Sequence, residues 1–146
     1  MGAIGERKKA GQISRFRVRI DGENDLGEWS KCDGLSVEYD IKPYQEGGEN
    51  GFVHKIPGRA QYQNIKLTRI LNSDSEKVAL WLASLQATVK RQTAEIAALD
   101  TTLQEIVTWK LQGVYPAKWT GPSFDAAGNQ VATETLELVH NGFLPG

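Results

Sequence analysis

The chain has 146 residues, 40% of them hydrophobic and 24% charged, with a net charge of −1. That length suits one domain able to bury its own core, and the near-zero charge excludes attraction to nucleic acid or to an anionic membrane as its organising feature. A single cysteine, Cys32, rules out an internal disulfide or a thiolate metal cluster, and no run approaches the roughly 20 apolar residues of a spanning helix.

Residues 1–13 are rich in glycine and charge, including Arg7, Lys8 and Lys9, and lack periodicity; a flexible arm is expected. They contain no apolar signal-peptide core, so synthesis and assembly in the cytoplasm are expected. From Ser14 the pattern alternates. Phe16, Val18 and Ile20 belong to one face of a strand, Arg15, Arg17 and Arg19 to the other. Asp21 to Gly27 reads as a turn and Glu28 to Cys32 as a short strand ending at Asp33-Gly34. Leu35 to Ile41 alternates again, with Leu35, Val37, Tyr39 and Ile41 expected inward and Ser36, Glu38 and Asp40 outward. If the two alternating strands are neighbours, the arginines of one can face the carboxylates of the other, a pairing that sets register more than it stabilises.

Pro43 to Gly58 is the least ordinary stretch. Gly47, Gly48 and Gly51 oppose ordering, yet Tyr44, Phe52, Val53 and Ile56 supply apolar anchors. Phe52 to Ile56 can form one arm of an extended hairpin. No GxxxxGK[ST] pattern accompanies the glycines, so they are not a phosphate loop. A segment that orders against a neighbouring subunit resolves the conflict in composition. Tyr44, Glu46, Gly47, Gly48, Asn50, Phe52, His54 and Ile56 are therefore the candidate assembly residues.

Ala60 to Leu71 reads as one strand with Ile65 and Leu67 inward. The clearest helix follows, over Ser73 to Val89. Ser73 and Glu76 have capping-box spacing, and Val78, Trp81, Leu82, Leu85 and Val89 form an apolar stripe. Thr93 to Leu99 is a strand and Asp100 to Thr102 a turn. Ile106 to Tyr115 is a strand with Val107, Trp109 and Leu111 on one face, ended by Pro116. Lys118 to Ser123 is short, and Ala126 to Asn129 is a hairpin turn. Val131 to His140 closes the fold with Leu136 and Leu138 inward. The expected architecture is mainly β: a small antiparallel β-barrel of two packed sheets with one flanking helix, all in one domain, residues 1–146. Its core should include Phe16, Val18, Ile20, Trp81, Leu85, Trp109, Leu136 and Leu138.

Catalytic signatures do not emerge. His54 and His140 lack metal-ligand spacing, no G-x-S-x-G elbow occurs, and the four tryptophans are scattered one to an element, as core residues would be. No cofactor is expected.

The ordered set Phe16-x-Val18-x-Ile20-Asp21-Gly22, Cys32-x-Gly34-Leu35-x-x-Glu38 and Tyr44-x-Glu46-Gly47-Gly48 continues with Leu67-x-Arg69, Trp81, Trp109-x-Leu111 and Pro116-x-Lys118. Gly121-Pro122 and Glu134-x-Leu136-Glu137-Leu138-x-His140 complete it. Together they resemble the inner tube proteins of contractile tails, both phage tail tubes and extracellular contractile injection systems. The chain departs from the family at Ile70 and in the Asp100 to Leu103 turn, where the family tends to have glycine.

The resemblance implies a tail-tube, Hcp-like barrel, hexameric rings stacked into a hollow tube, a sheath outside, a baseplate and spike at the tip, and protein cargo in the lumen. It implies no enzyme, no nucleic-acid sequence recognition and no membrane insertion. Arg15, Arg17, Arg19, Glu38 and Asp40 are then expected on one polar face, at the lumen or a subunit seam. Two other readings fit the same strands: a monomeric β-barrel binding a small ligand or glycan, and a secreted ring of the type VI kind.

Overall fold

The computed structural model describes residues 12–22, 24–44, 54–86, 90–122 and 131–145, with the backbone alone for 42–44 and 54–57. In chain order the elements are β1 (Arg15–Ile20), β2 (Asn24–Trp29), β3 (Lys31–Asp33), β4 (Val37–Tyr44), β5 (His54–Tyr62), β6 (Ile65–Ile70), α1 (Ser75–Ser84), β7 (Gln92–Leu99), β8 (Glu105–Thr120) and β9 (Thr133–Val139). Seven strands form one sheet in the order β2-β1-β7-β8-β9-β6-β3, while β4 and β5 form a separate two-stranded ribbon. All pairings are antiparallel.

The edge strands of the large sheet, β2 and β3, are consecutive in the chain and joined by Ser30 alone. The sheet must therefore curl until its edges nearly meet. No strand ladder joins β2 to β6, but individual hydrogen bonds bridge the seam. Ser30 donates its N–H and Oγ–H to the Thr68 carbonyl at 3.0 and 2.9 Å. Arg69 donates from Nη1 to the carbonyls of Leu26 at 2.7 Å and Glu28 at 3.3 Å. The expected barrel is a curled sheet clasped by an arginine.

β8 is the spine of that curl. Up to Val114 it pairs with β7, and from Tyr115 it pairs with β9. At the handover Gly113 has φ +64°, and a Cβ there would lie 2.5 Å from Asn141 Nδ2, so both backbone and space demand glycine. Pro116 does not end the strand as expected. It sits beyond the β7 pairing, where among the described residues β8 has a neighbour on one side only, and a register shift follows it; at such an edge a missing N–H is tolerated.

The core holds Val18, Ile20, Trp81, Leu136 and Leu138 as expected, with Phe16, Leu85 and Trp109 partly buried against it. Leu26, Trp29, Ile65, Leu67 and Ile96 complete its centre. Other expectations need correction. The turn after β1 is shorter than Asp21 to Gly27, because β2 begins at Asn24 and pairs with β1. Ala60 to Leu71 is two strands, broken at Gln63–Asn64, and its first part belongs to the ribbon. The helix starts at Ser75, and Asp74 occupies the N-cap position without a side-chain cap bond. The Ser73–Glu76 capping box is thus absent. The Asp74 carboxylate instead lies 3.0 Å from Lys77 Nζ, which raises the lysine pKa. Val78 and Trp81 are buried on the helix as the stripe requires, whereas Val89 falls outside the described residues.

The turn between β7 and β8 is closed by Asp100, whose carboxylate accepts from the N–H groups of Thr102 at 2.8 Å and Gln104 at 3.0 Å. Leu103 pays for it with φ 66°. Left-handed backbone costs a non-glycine residue about 1–2 kcal/mol, partly offset by the entropy a glycine would lose. Leu103→Gly is expected to raise stability by about 1 kcal/mol, read as a higher urea midpoint at unchanged slope; a lower midpoint would show that the half-exposed leucine packs better than its backbone is strained.

Candidate functional site

Among the described residues, no other strand pairs with the β4–β5 ribbon. Val37 pairs with Tyr62 at its base and Tyr44 with His54 at its far end. Val37, Tyr39 and Ile41 were expected inward, but they are exposed, Tyr39 by 53% and Ile41 by 58%. The reason is topological: the ribbon is not a member of the curled sheet, so its apolar side chains have no core beneath them. Glu38 and Asp40 on the alternate face are exposed as well.

A bulge sits between Tyr39 and Ile41, leaving Gly58 and Arg59 opposite Asp40. A Cβ on Gly58 would lie 2.5 Å from the Asp40 carbonyl oxygen, so glycine allows the strands to close there. At the base, the Tyr62 ring stands 5.2 Å from His140 and 5.9 Å from Phe143, an aromatic cluster that anchors the ribbon to the body. His140 is buried, accepts from the Gly142 N–H at Nδ1, and has its pKa lowered by burial, which keeps the imidazole neutral.

Of the candidate assembly residues, Tyr44, His54 and Ile56 lie on the ribbon strands, where the expected extended hairpin is seen. Glu46, Gly47, Gly48, Asn50 and Phe52 fall outside the described residues, as does most of the N-terminal arm.

Within the chain β1 and β4 belong to different sheets, so Arg15, Arg17 and Arg19 are not cross-strand neighbours of Glu38 and Asp40. Arg15 instead pairs with Glu28 at 2.7 Å and Arg17 with Glu105 at 3.8 Å, while Arg19 stands in register with Asp25. Alternation assigns faces within a strand and carries no information on which strand lies alongside.

A second feature was not anticipated. Arg69 is 2% exposed and Glu134 fully buried, with Nε to Oε2 at 2.9 Å. Glu134 also accepts from Ser75 Oγ and, at 3.1 Å, from Trp119 Nε1. The Arg69 guanidinium carbon lies 3.9 Å from the centre of the Trp29 ring, stacked as a cation on a π face. Above this cluster opens a groove of about 550 Å³ lined by Arg15, Glu28, Trp29, Arg69, Ile70 and Asp74 among others.

Among the described residues no group of acidic, histidine or cysteine side chains is placed to hold a metal. Burial pushes the Cys32 thiol up to about 12, so it is a poor nucleophile. No helix among the described residues is long and apolar enough to cross a membrane.

A family model described as T4-like virus tail tube protein gp19 matches residues 13–144. No curated protein sequence matches the chain. Among solved structures, the PVC extracellular contractile injection system sheath–tube complex in its extended state contains a similar chain. It is 24% identical over 99% of this chain and 97% of that one, with a TM-score of 0.76. The tube-terminating cap of the anti-feeding prophage gives 25% identity, 98% and 97% coverage and a TM-score of 0.71. A chain of the PVC sheath/tube terminator in the extended state gives 27% identity, 89% and 91% coverage and 0.69.

Proposed function

The chain belongs to the T4-like virus tail tube protein family, and from that premise we propose that it is a structural subunit of the inner tube of a contractile injection system or phage tail. Copies close into six-membered rings that stack around a hollow lumen. A sheath surrounds the tube, a baseplate and spike lie at its tip, and cargo protein passes through the lumen when the sheath contracts. The particle is assembled in the cytoplasm and is then released or retained.

One observation carries this reading beyond family membership: the ribbon that leaves the body with Tyr39 and Ile41 more than half exposed. Apolar side chains on an unpartnered two-stranded element are a liability in an isolated domain and an asset in an assembly. A head-to-tail contact through such an element closes into a ring or propagates along an axis, depending on the rotation between copies.

The test is negative-stain microscopy of the purified protein. Rings or tubes are expected. The double variant Tyr39→Asp/Ile41→Asp, and separately a deletion of Glu46 to Gly51, should keep a cooperative thermal melt and lose long tubes. Unmodified protein that stays monomeric at high concentration would sink the tube reading, and long tubes from both variants would remove the ribbon from assembly.

A further inference from the structure

Most of the large apolar side chains exposed among the described residues fall into two clusters. One is the ribbon, with Val37, Tyr39 and Ile41 at alternate positions of β4. The other is the end of the large sheet where β7 turns into β8. Leu103 in that turn is 43% exposed, and Ile106 and Val107 follow it on β8 at 41% and 40%. Ile13 joins them, also exposed, because the Ser14 N–H donates to the Leu99 carbonyl and brings the start of β1 alongside the turn. Single apolar residues on a surface are ordinary, but a gathered patch marks an interaction site.

Leu103 adds a second, independent sign. Its φ of 66° is backbone that glycine adopts without strain, yet the position carries a large apolar side chain left nearly half in water. Strain with no return inside the subunit points to a return from outside it. The two clusters also differ in charge at their rims. Glu105 borders the sheet end and is held only loosely, 3.8 Å from Arg17. Arg59 is exposed on the ribbon beside the bulge, and it forms no ion pair among the described residues.

We propose that the apolar face of the ribbon docks on a second copy, over the patch formed by Ile13, Leu103, Ile106 and Val107, with Arg59 facing Glu105. The proposal rests on the tube reading and names the surface that receives the ribbon. A second copy is the occupant because ribbon and patch are both apolar, both accessible and opposite in charge at the rim. Either cluster meeting its own kind would close a two-fold dimer and stop there. Ribbon on patch is head-to-tail and repeats from copy to copy, as a tube requires.

Cross-linking in the full chain tests the contact. Ala60 pairs with Tyr39 and shares its face, and Gln104 is exposed beside Leu103. Ala60→Cys and Gln104→Cys are made singly and together, and each protein is treated with a short bis-maleimide. Cys32 stays in place as a slow-reacting thiol, and the chain without added cysteines is the blank. The double variant is expected to give a ladder of covalent oligomers that the blank and both single variants lack.

Dimers from either single variant as abundant as the ladder would show like meeting like and overturn the head-to-tail contact. No ladder in samples that show tubes overturns the patch as receptor and leaves the tube reading standing. A ladder without tubes keeps the contact and removes the tube. Neither ladder nor tubes overturns both. Leu103→Gly supplies a second measurement that misfolding cannot imitate. It should raise the urea midpoint of the subunit and yet raise the concentration at which assemblies appear by about fivefold, the effect of covering the exposed part of one leucine. Assembly at an unchanged or lower concentration would overturn the patch as the receptor.

Discussion

Replacing Glu134 with alanine is expected to destabilise the fold by about 3–5 kcal/mol, the usual cost of stranding one member of a buried ion pair. The carboxylate is fully buried and accepts from Arg69, Ser75 and Trp119. Its loss leaves the Arg69 guanidinium with no counter-charge. The damage reaches further than the pair, because the same guanidinium holds the carbonyls of Leu26 and Glu28 on β2. Glu134 links β9 to α1 through Ser75, while Arg69 links β6 to β2, so four elements loosen together. Glu134→Gln keeps the shape and one acceptor oxygen, and should cost less. Replacing both partners, as in Arg69→Met/Glu134→Leu, should recover part of the loss, since no charge is then left buried. Urea denaturation of the three variants checks the order. A Glu134→Ala loss under about 1 kcal/mol would mean that water reaches the guanidinium and replaces the carboxylate.

Trp81→Ala should cost a similar amount, about 3–5 kcal/mol. The ring is 3% exposed and belongs to the central cluster. Its Nε1 donates to Gln92 Oε1 at 2.9 Å, and Gln92 Nε2 donates to Asp21 Oδ2 at 2.7 Å. The helix is thereby tied through β7 to the turn that starts the β1–β2 hairpin. Trp81→Phe separates the two contributions: most of the packing remains and the hydrogen bond goes, so about 1 kcal/mol should be lost. A fall below about 1 kcal/mol for the alanine variant in a urea melt would show that the helix packs weakly on the sheet.

Much of this was legible in the residues, and the failures have identifiable causes. The alternation of Phe16, Val18 and Ile20 located a strand and its buried face, and the helical stripe located Val78 and Trp81. The same reasoning misplaced Val37, Tyr39 and Ile41. Alternation reports that two faces differ, not that a core lies beneath either of them.

Arg69 and Glu134 were missed in another way, since neither was assigned to a face of its strand. A signal for them existed. Arg69 falls on the inward series Ile65, Leu67, Arg69, and Glu134 on the inward series Glu134, Leu136, Leu138. The register pairs the two directly, so a cation and a carboxylate at inward positions of strands that prove to be neighbours is what a buried ion pair looks like in sequence. The capping box failed for a local reason. Asn72 takes the Asp74 N–H on its side-chain oxygen at 2.8 Å, and the turn this makes delays the helix by two residues.

The arrangement by which Ser30 alone separates the two edges of the sheet bears on how the chain reaches its native state. Between its two edges the curled sheet depends on β1 pairing with β7 and on β6 pairing with β9. These pairings join distant parts of the chain, and such topologies fold slowly, on millisecond-to-second timescales. The ribbon is a local hairpin, and hairpins form within about 1–10 μs. The sticky element is therefore ready long before the body that should present it. A chain whose ribbon forms before its body closes exposes apolar side chains alongside unpaired strand edges, the kind of species most open to misassembly.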